Sequence, residues 1–103
     1  MEVLGQSKLD RFMKKHAQAV GPAAALLAEL KDATWATPQD ARARHGDRVS
    51  FIPSGNAVFR VGGNKYRVVM RIAFNTQKAI VVWAGTHGEY NRKQFQGETW
   101  SRF

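Results

Sequence analysis

Hydrophobic residues in the first part of the chain recur at spacings of three and four, as they do on one face of an amphipathic helix. Ser7 is the predicted N-cap of this first helix, and Gly21 is its predicted end. The apolar stripe between them is formed by Leu9, Phe12, Met13 and Val20, with His16 as a partly apolar member.

Two more helices are predicted before residue 47. One follows from the apolar stripe formed by Leu26, Leu27 and Leu30. The other begins where Thr37 and Asp40 have the spacing of a capping box, and Gly46 supplies its stop. This third helix is short and is predicted over residues 38–45.

From residue 48 the hydrophobic period changes to two, which is typical of strands. The β-rich runs are RVSFIP, AVFRV, KYRVVMRIAF and AIVVWAG, and the turn-forming segments between them are SGN, GGN and NTQK. We therefore predict one α+β domain over residues 1–103, with three N-terminal helices (1–47) packed on one face of a four-stranded antiparallel sheet (48–92). A C-terminal tail follows (93–103).

The longest of these strands predicts two unlike faces. One face is apolar and should meet the helices, through Tyr66, Val68, Met70, Ile72 and Phe74. The opposite face, predicted to be uncovered, carries Lys65, Arg67, Val69 and Arg71. If Asn75 lies opposite Ala79 in the next strand, Arg71 faces Trp83 and Arg67 faces His87.

Charge strengthens this picture of a cationic surface. Of the net charge of +8, residues 48–103 supply nine Lys or Arg against two acidic residues, whereas residues 1–47 are nearly balanced. The cations of the long strand are spaced about 7 Å apart, close to the spacing of phosphates along a nucleic-acid strand. A polyanionic partner is therefore expected.

Several classes of site are disfavoured. The chain has no cysteine, and its three histidines lie in different elements without the spacing of a zinc site, so we predict no metal and no cofactor. There is no G-x-S-x-G nucleophile elbow and no phosphate-binding loop. The start of the chain lacks the order of a signal peptide, and no apolar run approaches the roughly 20 residues that span a bilayer. We expect a cytoplasmic protein without a membrane partner.

The segment GTHGEY places His87, Glu89 and Tyr90 at the end of a strand in the cationic half. Lys, Arg, His and Tyr around one groove suit the cleavage of RNA by its own 2′-hydroxyl, which needs a base, an acid and cations that stabilise the phosphorane. The alternative is that His87 caps the strand end and that Tyr90 packs against the helices.

The motifs GGNKYRVV, F..QKAIVV and GTHGEYN together resemble the HigB-type toxins of the RelE-like toxin-antitoxin superfamily. ATWATPQDARAR and VSFIPSGNAVFRV are similar to upstream stretches of that family. The resemblance implies a RelE-like fold and a metal-independent endoribonuclease that acts on messenger RNA on translating ribosomes. It also implies a HigA-like helix-turn-helix antitoxin as partner, through which alone operator DNA would be bound.

The resemblance also implies site residues. Arg67 is assigned to the scissile phosphate, Lys65 to charge stabilisation or help with the 2′ proton, His87 to general acid or base catalysis, and Tyr90 to base stacking or proton relay. The cations expected to bind the RNA backbone are Arg48, Arg60, Arg71, Lys78 and Arg92. Two positions depart from the family pattern, which often has arginine at Val82 and aspartate at Asn91.

Two other functions remain open from the residues alone. The cationic face could hold RNA without cutting it, as a binding module does, or it could be an assembly interface for an acidic protein. Intact transcripts in cells that express the protein would favour the first of these alternatives.

Overall fold

The computed structural model describes residues 1–52 and 55–93. Residues 94–103, and with them most of the predicted tail, lie outside the described residues. Short 3-10 turns cover Ala17–Ala19 and Gly46–Arg48. The other elements, in chain order, are β1 (Glu2–Leu4), α1 (Gln6–Lys15), α2 (Val20–Asp32), α3 (Pro38–His45), β2 (Val49–Phe51), β3 (Asn56–Val61), β4 (Tyr66–Ala73), β5 (Lys78–Thr86) and α4 (His87–Lys93).

The sheet has five strands in the order β1-β5-β4-β3-β2. Strands β2 to β5 form the predicted antiparallel meander, but β1 pairs in parallel with β5, so the prediction of a four-stranded antiparallel sheet is wrong. β1 has only three residues and no local pattern of its own. Long-range contacts create it: Glu2 N donates to Gln77 O at 2.9 Å, and Met1 N donates to Leu30 O at 3.0 Å.

Helices α1, α2 and α3 lie on one side of the sheet, which we call the inner face. Most of the buried apolar side chains of these helices and of the strands form a single cluster there, which includes Leu9, Phe12, Leu27, Leu30, Trp35, Phe59, Val68, Met70 and Val81. The predicted inward stripe of β4 is confirmed from Tyr66 to Ile72, and Phe74 packs against the same cluster half-buried.

The ends of the helices test the predicted caps. α3 spans the predicted residues, and the Asp40 carboxylate accepts a hydrogen bond from Thr37 N at 3.2 Å, as a capping box requires. The cap of α1 is not Ser7 but Gly5, with φ of 72°, because the chain turns there from β1 against the backbone of Val81. α1 also ends at Lys15 rather than at Gly21, which lies inside α2.

The fourth helix, α4, was not predicted. It begins directly after β5 because Thr86 and Glu89 form a second capping box: Thr86 N donates to Glu89 Oε1 at 2.9 Å, and Glu89 N donates to Thr86 Oγ1 at 3.1 Å. The T-x-x-E spacing is visible in GTHGEY, but its polar residues also suit a catalytic site at a strand end, as predicted above. α4 folds back across the side of the sheet opposite to α1–α3, which we call the outer face.

Candidate functional site

The side chains of the outer face form rows across the strands, because paired residues point to the same side of a sheet. The Arg67 row consists of Arg60, Arg67 and Gly85. The Ile80 row, at the other end of the same face, consists of Asn56, Arg71, Ile80 and Leu4. Between them lie Ser50, Val58, Val69 and Trp83.

A β-bulge in β5 decides which residues enter these rows. Val69 pairs with Trp83 but Met70 pairs with Val81, so Val82 is an extra residue. Both Val82 and Trp83 pack on the outer face, and the alternation of β5 is inverted beyond them. The predicted pairing is wrong, first because the turn between β4 and β5 pairs Ala73 with Lys78 and so places Arg71 opposite Ile80. Beyond the bulge, Arg67 lies opposite Gly85. Nothing in a hydrophobic run such as AIVVWAG marks where a bulge will occur.

The middle of the outer face is apolar and covered. Ile52, Val58, Val69 and Tyr90 are buried together there, with Val82 and Trp83 half-buried around them. Tyr90 comes from α4, and its ring centroid lies 6.3 Å from that of Trp83. The expectation of a wholly uncovered cationic face is therefore wrong, because the turn of α4 onto the sheet shields its centre.

Arg67 is a buried cation at the edge of this cluster, with 5% of its surface exposed. Its Nη2 donates to Asn64 Oδ1 at 2.8 Å, and its Nη1 donates to Asn64 O at 3.3 Å and to Tyr66 O at 3.2 Å. Burial lowers the pKa of Arg67, Arg60 beside it lowers that pKa further, and Tyr90 raises it. The guanidinium stays charged, because the ordinary pKa of an arginine is far above neutral pH.

Arg60 lies directly opposite Arg67 and is half-buried. Its Nη1 donates to Asp47 O, which draws the side chain toward the turn before β2. Arg48, on that turn, is exposed and lines the same cleft of about 280 Å³ as Arg60. The positive charges of Arg60 and Arg67 repel each other unless an anion lies between or above them.

Lys65 and His87 meet at the same end of the sheet. His87 N donates to Lys65 O at 2.9 Å, which joins the turn before β4 to the start of α4. Lys65 is exposed and lies in that turn rather than in the strand, whereas His87 is half-buried as the first residue of α4. Arg92 is exposed on the same helix.

The structure separates the predicted site residues into two groups. It brings Arg60, Lys65, Arg67, His87 and Tyr90 together at one end of the sheet, with Arg92 on the same helix as Tyr90. Arg48 shares a cleft with Arg60, but that cleft is lined mainly by residues of the helix side, such as Leu26 and Phe59. Arg71 and Lys78 lie toward the other end, where Arg71 Nε donates to Asn56 Oδ1 at 3.4 Å. The predicted backbone-binding cations therefore do not form one continuous track along the described residues.

Three residues at the Arg67 end were missed from the sequence. The sequence predicts Asn64 only as a turn residue, although its side chain holds the guanidinium of Arg67. Trp83 covers Gly85 so closely that a Cβ on Gly85 would lie 2.5 Å from the indole ring. His16 follows α1, and its ring centroid lies 5.5 Å from that of Tyr66. The pKa of Glu89 is lowered chiefly by the hydrogen bond from the Thr86 backbone, and His16 lowers it further. Only the turn chemistry of GGN gave a usable signal.

A family model described as HigB_toxin, the RelE-like toxic component of a toxin-antitoxin system, matches residues 19–93, more than half of the chain. The chain belongs to the HigB toxin family. No curated protein matches the sequence. Membership in the HigB family gives the chain the role of a toxin, implies an antitoxin partner, and agrees with the α+β arrangement of helices on a sheet.

The matched residues begin at the end of the 3-10 turn before α2 and end with α4. They contain the whole Arg67 row, together with Lys65, His87 and Tyr90. β1 and α1 lie outside the match. None of the helices within residues 1–52 and 55–93 is long and apolar enough to cross a membrane.

Proposed function

We propose that this HigB-family toxin is an endoribonuclease that cuts messenger RNA on translating ribosomes and is neutralised by its cognate antitoxin. The cut would use the 2′-hydroxyl of the RNA as nucleophile and would need no metal ion. One observation carries the proposal: Arg60 and Arg67 face each other in register, and Arg67 is almost completely buried. Such a pair is costly by itself and is relieved by a bound phosphate.

The proposed roles follow from exposure. Arg67 is held in place by Asn64, so it supplies a preorganised positive charge beneath the phosphate. Arg60 and Lys65 are more exposed and would contact the phosphate oxygens directly, since an incoming strand reaches them first. Together these cations would stabilise the extra negative charge of the phosphorane.

His87 would transfer a proton, either from the attacking 2′-hydroxyl or to the departing 5′-oxygen. It lies at the junction of α4 with the Lys65 turn and retains partial exposure. Tyr90 is buried in the outer cluster, so its ring is better placed to hold Trp83 than to stack on RNA. The half-buried Trp83 would then offer the face on which a base stacks.

The test is to map the 5′ ends of a translated message incubated with the purified protein, with and without ribosomes. Ribosome-dependent new ends are expected for the unchanged protein. His87→Gln should lower the cleavage rate at least ~100-fold, because general acid-base catalysis contributes on that order. Arg60→Gln should reduce cleavage as well, by a factor of about 10 or more.

Arg44→Gln is the matched control for Arg60→Gln. The Arg44 side chain is 64% exposed on α3, which lies on the other side of the sheet. Its substitution removes one positive charge, as Arg60→Gln does, but leaves the Arg67 row unchanged. The control should cut at the rate of the unchanged protein. Intact messages with the unchanged protein, together with RNA binding, would replace this proposal with a binding module that does not cut.

A further inference from the structure

The Ile80 row carries an exposed apolar pair. Leu4 and Ile80 are cross-strand partners and have 37% and 39% of their surfaces exposed. Among the described residues, the third exposed large hydrophobic side chain is Val20, which lies on α2. The pair therefore forms an apolar spot on the outer face, at the edge where β1 joins the sheet.

Cations surround this spot. Arg71 is the next residue of the row, and Lys78 lies two positions before Ile80 on the same face. Lys8 Nζ donates to the backbone oxygen of Val82, two residues after Ile80, at 3.4 Å. Glu2 lies opposite Lys78 and offsets one of these charges. The result is an aliphatic centre with a predominantly positive rim.

We propose that the Leu4–Ile80 spot and its cationic rim dock an acidic segment of the antitoxin that carries aliphatic side chains at its centre. An apolar core inside a charged rim is the usual composition of a protein-binding surface. Nucleic acid fits less well, because Leu4 and Ile80 have neither hydrogen-bonding groups nor aromatic faces for stacking. The positive rim selects an acidic partner by charge complementarity.

The position of the Leu4–Ile80 spot suggests how a bound antitoxin would inhibit the toxin. Arg71 and Arg67 lie four residues apart on β4, which corresponds to about 13 Å along the strand. A bound segment that extends from the spot past α4, which covers the middle of the outer face, would reach the Arg67 row. This inference rests on the toxin-antitoxin role of the chain but does not require that the chain cuts RNA.

The experiment measures the affinity of the toxin for the antitoxin encoded by the adjacent reading frame, by titration calorimetry without RNA. The variant Leu4→Asp/Ile80→Asp should bind at least ~30-fold more weakly, because it removes the apolar contact and adds charges that repel an acidic partner. Val20→Asp is the matched control, since it places the same charge on another exposed aliphatic position. Its affinity should stay within about 2-fold of the unchanged protein.

Circular dichroism melting checks that the variants are folded. If the double aspartate variant melts early, Leu4→Ser/Ile80→Ser removes the apolar contact without adding charge and should still weaken binding about 10-fold. An affinity within 3-fold of the unchanged protein in a folded variant would overturn the proposal. So would a change that affects only self-association in sedimentation, since the spot would then be an interface between two copies.

Cleavage of a translated message by the same variants separates this proposal from the preceding one. Folded Leu4 and Ile80 variants should cut normally while escaping the antitoxin. If even the unchanged protein leaves messages intact, endonuclease activity is refuted, yet the calorimetric result still decides whether the spot binds the antitoxin.

Discussion

His45 and Arg67 are both buried basic side chains, and they lie on opposite sides of the sheet. His45 packs on the inner side between Trp35 and Phe59, with ring centroids 5.6 Å and 5.3 Å away. Arg67 lies on the outer face beside Arg60 and the cluster around Tyr90. Each has less than a tenth of its surface exposed.

The two residues respond differently to burial. Burial lowers the pKa of His45, Glu29 raises it, and Arg48 and Arg44 lower it, so the imidazole can shed its charge and act as a packing ring. Its Nε2 is 3.3 Å from Glu29 Oε2, but the two atoms lack the geometry of a hydrogen bond. Burial therefore outweighs this ion pair.

Arg67 cannot shed its charge, so its environment must compensate it. Three hydrogen bonds to Asn64 and Tyr66 do so in part, and the facing Arg60 adds repulsion. Folding alone would favour an apolar residue at this position. The buried charge of Arg67 therefore supports the role proposed for it, whereas the burial of His45 is explained by packing.

The largest expected effect is on the rate of message cleavage, when Arg67 and His45 are each replaced by an apolar residue of similar shape. Arg67→Met should lower the rate of message cleavage at least ~100-fold, because it removes a preorganised charge from the transition state. His45→Phe should leave the cleavage rate of the folded protein within about 3-fold, because it keeps a ring between Trp35 and Phe59. Equal losses in the two variants, measured at equal folded fractions, would contradict the comparison.

A smaller effect should follow from adding one methyl group near Arg67. Gly85→Ala should lower the free energy of unfolding by about 1–3 kcal/mol, because the new Cβ would meet the Trp83 ring at 2.5 Å and Glu89 Oε1 at 2.9 Å. Gly88→Ala, three residues on, is the matched control. Its Cβ would find only Arg92 Nη1 at 3.6 Å, so it should raise stability by about 0.5–1 kcal/mol through helix propensity.

Urea unfolding followed by tryptophan fluorescence measures both glycine variants. A native-state spectral change should accompany Gly85→Ala alone, since only that variant displaces Trp83. If Gly85→Ala proves as stable as Gly88→Ala, the indole does not lie over Gly85, and the proposed stacking surface is lost.

The smallest effect concerns pH. His45 has a lowered pKa in the folded state, so below its ordinary value of 6.5 the unfolded chain binds the proton more readily. The free energy of unfolding should therefore fall as the pH drops from about 6.5 toward the folded-state pKa, by at most about 1.4 kcal/mol per pH unit from this group.

His45→Phe should weaken that dependence in urea titrations between pH 7 and pH 5. His87→Gln is a suitable comparison, because it removes a histidine from the other side of the molecule. A pH dependence that survives His45→Phe unchanged would show that some other group is responsible.

The helices and strands were predictable wherever one face of an element is buried. The inward stripe of β4 and the bounds of α3 follow from local periodicity and capping chemistry, and the structure confirms both. β1 was not predictable, because three residues become a strand only through pairing with β5. α4 was missed because the capping box of Thr86 and Glu89 lies in a segment whose polar residues also suit a catalytic site.

Periodicity, composition and motifs were enough to predict an α+β chain, the excess of cations in its second half, the residue types at the candidate site, and the family that the family match confirms. The arrangement of those residues follows only from how the folded segments meet. The turn after β4 set the pairing of Arg71 with Ile80, the bulge at Val82 placed Gly85 opposite Arg67, and the turn of α4 onto the outer face buried Tyr90. The register of paired strands and the covering of a sheet face by a helix depend on contacts between segments far apart in the chain. A local pattern of hydrophobic and polar residues does not contain those contacts.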